Sequence, residues 1–224
     1  MKIGTLTIGQ SPRKDVIPEM LEVLGTGIDI IEKGALDELS LEEVINFQPA
    51  TTDSTLVTRL RDGTEVKIAK KHVIPRLKNC IFELEEKGAE IIILLCTGVF
   101  PEFESRKILL RPNRIIKNIV KGILKKGKLG VIVPSRDQIL RVEEKWGRTN
   151  IEVISESVSP YTSTDKEIVE KAKKMKNFNT DLIILDCIGF KRKIKAIFRD
   201  ITKKPILLPS TTIARIAKEI IEVV

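Results

Sequence analysis

Histidine is nearly absent from this chain. His72 is the single one in 224 residues, and the three cysteines, Cys80, Cys96 and Cys187, form no Cys-x-x-Cys pair. With so few of the usual nitrogen and sulfur ligands, a tetrahedral zinc site is not expected. Three widely spaced cysteines cannot build a disulfide scaffold either, which leaves them as free thiols. Aromatic residues make up 4% of the chain, and no run interleaves them with Lys or Arg as a base-stacking surface would require. No apolar run approaches the roughly 20 residues of a membrane span. The N-terminus, Met1-Lys2-Ile3-Gly4-Thr5, enters a strand pattern without the apolar core of a secretion signal, so a cytoplasmic protein is expected. With 13 glycines, 10 prolines and 42% hydrophobic residues, low complexity and disorder are excluded and a sizeable core can form.

The net charge of +8 is unevenly spread. Residues 1–50 carry four basic against nine acidic side chains, whereas residues 101–150 carry 13 against five. Within the basic block, Lys117, Lys121, Lys125 and Lys126 lie opposite an apolar stripe of Ile115, Ile116, Ile119, Val120, Ile123 and Leu124 at helical spacing. A solvated helix face accounts for them, and no nucleic-acid partner is expected.

Along the chain, strand and helix patterns alternate. Lys2–Ile8 reads as a buried strand. It leads through Gly9-Gln10-Ser11-Pro12 to a helix reaching Leu24, with Ser11 as candidate N-cap and Pro12 in its first turn. A short strand at 28–31 and a helix at 41–45 follow. Thr55–Arg61 and Thr64–Ala69 flank Asp62-Gly63 as a hairpin inserted into the alternation. Beyond it come a helix over 74–87, the aliphatic strand 90–95, and a loop through Gly98 and Pro101 to a helix after Pro112. The second half predicts strands at 128–133, 151–155, 181–185 and 206–208, with helices at 138–145, 166–176, 193–198 and after Ser210. Near-continuous apolar strands alternating with helices predict parallel sheets covered on both faces.

An internal repeat organises this alternation. Glu90-Ile91-Ile92-Ile93-Leu94-Leu95-Cys96-Thr97-Gly98 aligns with Asp181-Leu182-Ile183-Ile184-Leu185-Asp186-Cys187-Ile188-Gly189. The opening strands also match, Lys2-Ile3-Gly4-Thr5-Leu6 against Lys128-Leu129-Gly130-Val131-Ile132. Each leads to a loop with Ser and Arg: Ser11 and Arg13, then Ser135 and Arg136. The chain therefore reads as an α/β protein of two lobes with mainly parallel sheets related by pseudo-two-fold symmetry. The first lobe spans 1–108, completed by 205–224, and the second spans 109–204.

Parallel α/β sheets bind ligands outside the carboxyl ends of their strands, where the repeat puts Cys96 and Cys187. If the lobes face each other across a cleft, the two thiols meet over one ligand. A symmetric thiol pair suits cofactor-independent racemisation, in which one thiolate removes a proton next to a carboxylate and the opposed thiol delivers one to the other face. Free cysteine ionises near pH 8.5, closer to neutrality than lysine, so a modest shift makes it a usable base.

The segments Gly4-Thr5-Leu6-Thr7-Ile8-Gly9-Gln10-Ser11-Pro12-Arg13 and Leu94-Leu95-Cys96-Thr97-Gly98, with Cys187-Ile188-Gly189 at the matching strand end, resemble the AroM family of the aspartate/glutamate/hydantoin racemase superfamily. The resemblance runs through essentially the whole chain. It implies two Rossmann-like lobes with the C-terminal helix packing back on the first. It also implies isomerase-like chemistry on a small carboxylate or cyclic amide, with one or both cysteines acting and neither metal nor pyridoxal phosphate as cofactor. Characterised amino-acid racemases of the superfamily carry Cys-Asn-Thr after the first cysteine and Cys-Thr-His or a similar triplet after the second. Cys96-Thr97-Gly98 and Cys187-Ile188-Gly189 depart from both, so the scaffold carries over better than the substrate.

Each candidate has a plain structural reading beside the functional one. Cys80 lies on an amphipathic helix with Leu77, Ile81 and Leu84 and reads as core. Cys96 and Cys187 are the candidate acid/base residues. Ser11, Arg13, Thr97, Gly98, Ser135, Arg136, Gly189 and Thr211 are the candidate contacts to a small anionic substrate. Gly98 and Gly189 also serve as strand-to-helix turns, and Arg13 and Arg136 as surface arginines. Thr211 would reach a cleft only if the last strand joined the first sheet. Asp186 alternates away from Cys187, and His72, beside Lys70 and Lys71, is expected to face solvent. Two other readings stay open: a non-catalytic anion-binding or regulatory protein on the same scaffold, and thiol redox, which needs the two Cα atoms within about 7 Å. A homodimer is the default expectation, with no pattern that marks an interface.

Overall fold

The aliphatic runs of the two halves form the central strands of two parallel sheets. The computed structural model describes residues 1–147 and 150–221. In the first half, β1 (Lys2–Thr7) pairs with β2 (Asp29–Gly34) on one side and β5 (Ile91–Leu95) on the other, and β5 pairs with β6 (Ile108–Leu110). In the second half, β7 (Gly127–Val133) lies between β8 (Ile151–Ser157) and β9 (Leu182–Leu185), and β9 pairs with β10 (Ile206–Leu207). The orders are β2-β1-β5-β6 and β8-β7-β9-β10, so each half repeats one topology. All of these pairings are parallel. In both sheets the chain first moves outward on one side of the opening strand and then crosses to its other side, which makes the ends of β1 and β5, and of β7 and β9, the topological switch points.

Two compact units follow, Met1–Pro112 joined by the chain from Ile213, and Asn113–Thr212. These bounds differ from the expected 1–108 with 205–224, and 109–204. β6 is a strand of the first sheet, so 109–112 stay with the first unit. β10 hydrogen-bonds to β9, so 205–212 stay with the second. Residues 222–224 lie outside those described. Each unit has its own core. The first gathers Leu6, Leu36, Leu77, Ile81, Ile92 and Leu94, and the second Ile132, Met175, Ile183, Leu185, Phe198 and Leu208.

The antiparallel hairpin β3 (Thr55–Arg59) and β4 (Glu65–Ala69) stands as expected in the first unit. The helix α1 (Ile17–Leu24) starts later than Ser11 predicts, with Pro18 in its first turn. Residues 13–16 instead make a separate turn, in which Val16 and Ile17 donate to the Arg13 carbonyl. After α2 (Leu41–Ile45), α3 (Lys70–Glu86) packs on β1 and β2. It begins four residues before the expected start, which brings His72 into the helix. The imidazole stacks on Phe47 with ring centroids 4.8 Å apart, so His72 is half-buried instead of facing solvent. The alternation continues through α4 (Pro112–Ile123), a 3-10 turn at Arg136–Arg141, α5 (Val142–Trp146), α6 (Asp165–Asn177) and α7 (Arg192–Thr202) in the second unit, and α8 (Pro209–Ile221) starts there and belongs to the first unit from Ile213 on. No described helix is long and apolar enough to cross a membrane.

Candidate active site

Cys96 follows directly on the end of β5, Cys187 stands two residues past the end of β9, and their backbones take the same turn. Cys96 N–H donates to the Leu94 carbonyl at 2.9 Å and Cys187 N–H to the Leu185 carbonyl at 2.8 Å. This turn places the amide of the glycine two residues on against the sulfur. Gly98 N–H donates to Cys96 Sγ at 3.3 Å, and Gly189 N–H to Cys187 Sγ at 3.4 Å. Both thiols are largely buried, 9% and 8% exposed, which removes most bulk water and makes a fixed N–H donor count for more. Each sulfur thus has a fixed N–H donor from its own turn against it. The third cysteine differs. Burial, and then Glu83, push the Cys80 thiol up to about 11, which keeps it protonated in the core.

In the second unit the Cys187 sulfur has a neighbour that lies far off in sequence. Tyr161, in the loop between β8 and α6, holds its hydroxyl 4.0 Å from Cys187 Sγ. The loop is shaped by Ser159, whose Oγ accepts from Tyr161 N–H at 3.0 Å and Thr162 N–H at 3.1 Å, while Ser159 N–H donates to Ser163 Oγ. Asp186 does point away, as strand alternation requires. Its carboxylate accepts from Lys145 Nζ at 2.8 Å and Trp146 Nε1 at 2.7 Å, tying the cysteine turn to α5.

The loops after β1 and β2 are held together by Asp37. Its carboxylate accepts from Ser11 Oγ at 2.7 Å, Ser11 N–H at 2.5 Å and Gly34 N–H at 2.7 Å. Ser11 is therefore a clamp between two strand ends and not the cap of α1. Arg13 is buried and not a surface side chain. Its guanidinium donates in a bidentate way to Asp15, both bonds 2.8 Å, and to Thr7 Oγ1 at 2.9 Å. Arg136 opens the 3-10 turn and is exposed, so the two arginines aligned by the repeat occupy unlike environments. Ser135 is buried and donates to Asp137 at 3.1 Å. Thr97 is buried beside Cys96. Thr211 is buried in the first turn of α8 and donates to the Leu208 carbonyl at 3.3 Å; the strand before it belongs to the second sheet, so the condition under which it was expected to reach a ligand is not met. Among the described residues, no group of three or more His, Cys, Asp or Glu side chains is gathered to hold a metal ion.

The family model described as AroM protein matches residues 3–221. The chain belongs to the AroM family. No curated protein matches it by sequence. Among solved structures, this AroM-family chain is similar to the maleate isomerase Iso from Pseudomonas putida S16, with a TM-score of 0.62 and 11% identity over 98% of this chain and 93% of that one. It is similar to allantoin racemase from Klebsiella pneumoniae, with a TM-score of 0.61 and 8% identity over 99% and 87%. Glutamate racemase from Aquifex pyrophilus gives a TM-score of 0.59 and 14% identity over 99% and 84%. At these identities the likeness is one of fold.

The AroM-family glycines after the cysteines are under unequal steric demand. A Cβ at residue 98 would meet Leu56 Cδ2 and Phe100 Cε2 at 3.2 Å, and both are side-chain carbons able to give way a little. A Cβ at residue 189 would collide with Tyr161 Oη and lie 2.6 Å from its Cε1 and Cζ. Gly189→Ala is therefore expected to destabilise the protein by about 1–3 kcal/mol, as overpacking does, and Gly98→Ala by less. Thermal melting of the two variants side by side checks the order; equal melting temperatures would contradict it.

Proposed function

We propose that this chain is a cofactor-independent, racemase-like isomerase of a small carboxylate or its cyclic amide, with Cys96 and Cys187 as paired acid and base. The observation that carries the proposal is the identical construction of the two cysteine turns. Each puts a thiol at a switch point, buries it, and aims a glycine N–H at its sulfur. A fixed N–H donor favours the thiolate, and a thiolate in a mostly dry setting is a stronger base than one in water. A thiolate removes the proton from the carbon next to a carbonyl or carboxylate. The second thiol protonates the resulting carbanion on its other face, and the pair is left with exchanged protonation states, ready for the reverse reaction. Thr97 and Ser135, buried beside the strand ends, are proposed to contact the substrate, with the exposed Arg136 as a mobile countercharge for its carboxylate. Arg13 does not join them, because Asp15 and Thr7 engage its guanidinium.

The test is proton exchange in deuterated water, read by proton NMR over a panel of single-enantiomer amino acids, hydroxy acids and hydantoins. Protein-dependent loss of the α-proton signal from at least one compound is expected. Absence of exchange across the panel overturns the enzyme reading. In that case, thermal stabilisation by an acid that survives Cys→Ala at both positions would mark an anion-binding protein instead.

A further inference from the structure

We propose that Tyr161 is a third member of the Cys187 turn, its phenolic O–H donating to the Cys187 thiolate. The proposal rests on the acid/base reading of Cys187 given above. Three observations support it, all within the second unit. The hydroxyl lies 4.0 Å from Sγ, at the outer reach of an O–H···S contact, so a displacement of a few tenths of an ångström brings the two together. The phenol occupies the very space that a side chain at residue 189 would fill, so Gly189 serves the placement of this ring as well as the turn. And the ring is carried on an organised loop, where Ser159 Oγ receives the N–H groups of Tyr161 and Thr162, and Thr164 and Glu167 form a capping box that starts α6 immediately afterwards.

The direction of donation follows from ordinary acidities. A thiol ionises about 1.5 pH units below a phenol, so between them the sulfur loses its proton first, to solvent, and the phenol keeps its own and donates it. The sulfur then receives two donors from opposite kinds of group, the Gly189 amide and the Tyr161 hydroxyl. The charged groups nearest along the chain are Asp186, which is paired with Lys145, and Lys191, Arg192 and Lys193 at the start of α7, all three exposed.

Alkylation by iodoacetamide as a function of pH, with each cysteine followed separately by peptide mass spectrometry, tests this without any substrate. In Tyr161→Phe the ring stays against Gly189 and only the hydroxyl is lost. The Cys187 rate at pH 7 is expected to fall about tenfold and its midpoint to rise by about one pH unit, the scale of one hydrogen bond to a charged acceptor, with the Cys96 profile unchanged. Cys80, core and protonated, stays unmodified in any folded variant and so reports whether the variant has folded. An unchanged Cys187 profile overturns the proposal, and so does an equal change at Cys96 and Cys187. Because the readout is chemical reactivity, its failure is separate from a failure to find α-proton exchange.

Discussion

Asp15→Asn is expected to destabilise the first unit by about 3–5 kcal/mol, the scale seen when one partner of a buried ion pair is removed. The Arg13 and Asp15 side chains are 2% and 4% exposed, and the guanidinium makes two parallel 2.8 Å bonds to the carboxylate. Asparagine keeps the shape but leaves a buried cation with no counter-charge on its partner. Arg13→Lys does not rescue, since an ammonium cannot reproduce the planar fork. The double replacement Arg13→Met with Asp15→Leu is expected to recover most of the loss, because removing both charges also removes both desolvation penalties. Urea unfolding midpoints at constant slope measure all three. A change below about 1 kcal/mol for Asp15→Asn would mean the pair is worth no more than a surface contact.

The acid limb of the stability curve carries the same signature. Burial raises the Asp15 pKa, but the Arg13 hydrogen bond and charge outweigh it and hold the carboxyl below its usual 3.8. Stability from this group is thus fully present above 3.8 and lost as pH falls through the lower folded value. Glu32, which accepts from the Arg13 backbone N–H at 2.7 Å, is displaced the other way: burial pushes it above 4.5. It favours the folded state as pH falls from its raised value toward 4.5. The two together predict a shallow rise in stability under mild acid and then a drop below about 4 that Asp15→Asn makes shallower, the remainder coming from other carboxyls held low such as Glu85.

Strand content was legible because buried parallel strands are written as aliphatic runs, and the repeat of Ile91–Leu95 in Leu182–Leu185 exposed the two-unit plan without any knowledge of the fold. β6 was not found. Three residues set between Lys107 and Arg111 are too short to show a period, and the usable signal was their match to Ile206-Leu207-Leu208 in the other half. The cysteine turns were readable from Cys-x-Gly at matched strand ends. The repeat aligns Arg13 with Arg136 as a candidate anion contact, and composition alone makes it a surface arginine, whereas its environment is decided by Asp15 two residues on, a partner that fixes it within its own turn. Ser11 looked like a cap because Pro12 follows it, but its hydroxyl is taken by Asp37, which becomes a neighbour only through the parallel pairing of β1 and β2. Tyr161 carries no local signal for a similar reason. It is the one tyrosine of the chain and sits in a loop 26 residues before Cys187, and only the β7 pairings with β8 and β9 bring the two strand ends near each other.

The cysteine substitutions carry the largest expected effect on activity. In the proposed two-base form, Cys96→Ala removes the proton carrier on one face of the substrate carbon and Cys187→Ala the carrier on the other, and inversion needs both. Each variant is expected to invert a substrate about 10²–10⁴-fold more slowly than the wild type, the usual contribution of a positioned acid or base. Exchange without inversion is a separate matter. A remaining thiol still deprotonates the enantiomer that presents its proton to that face and returns a solvent deuteron to the same face. The variants should therefore exchange opposite enantiomers, slowly and with retention. In the wild type, a single enantiomer taken to low conversion in deuterated water should yield product carrying deuterium while the unreacted substrate keeps its proton, because removal and delivery occur at different sulfurs. Chiral chromatography with mass detection reads both. Inversion at the full rate in either variant excludes the pair. Loss in Cys187→Ala alone would leave a one-cysteine reaction built on the turn that Tyr161 and Gly189 support, with the Cys96 turn reduced to a buried thiol held by its own glycine.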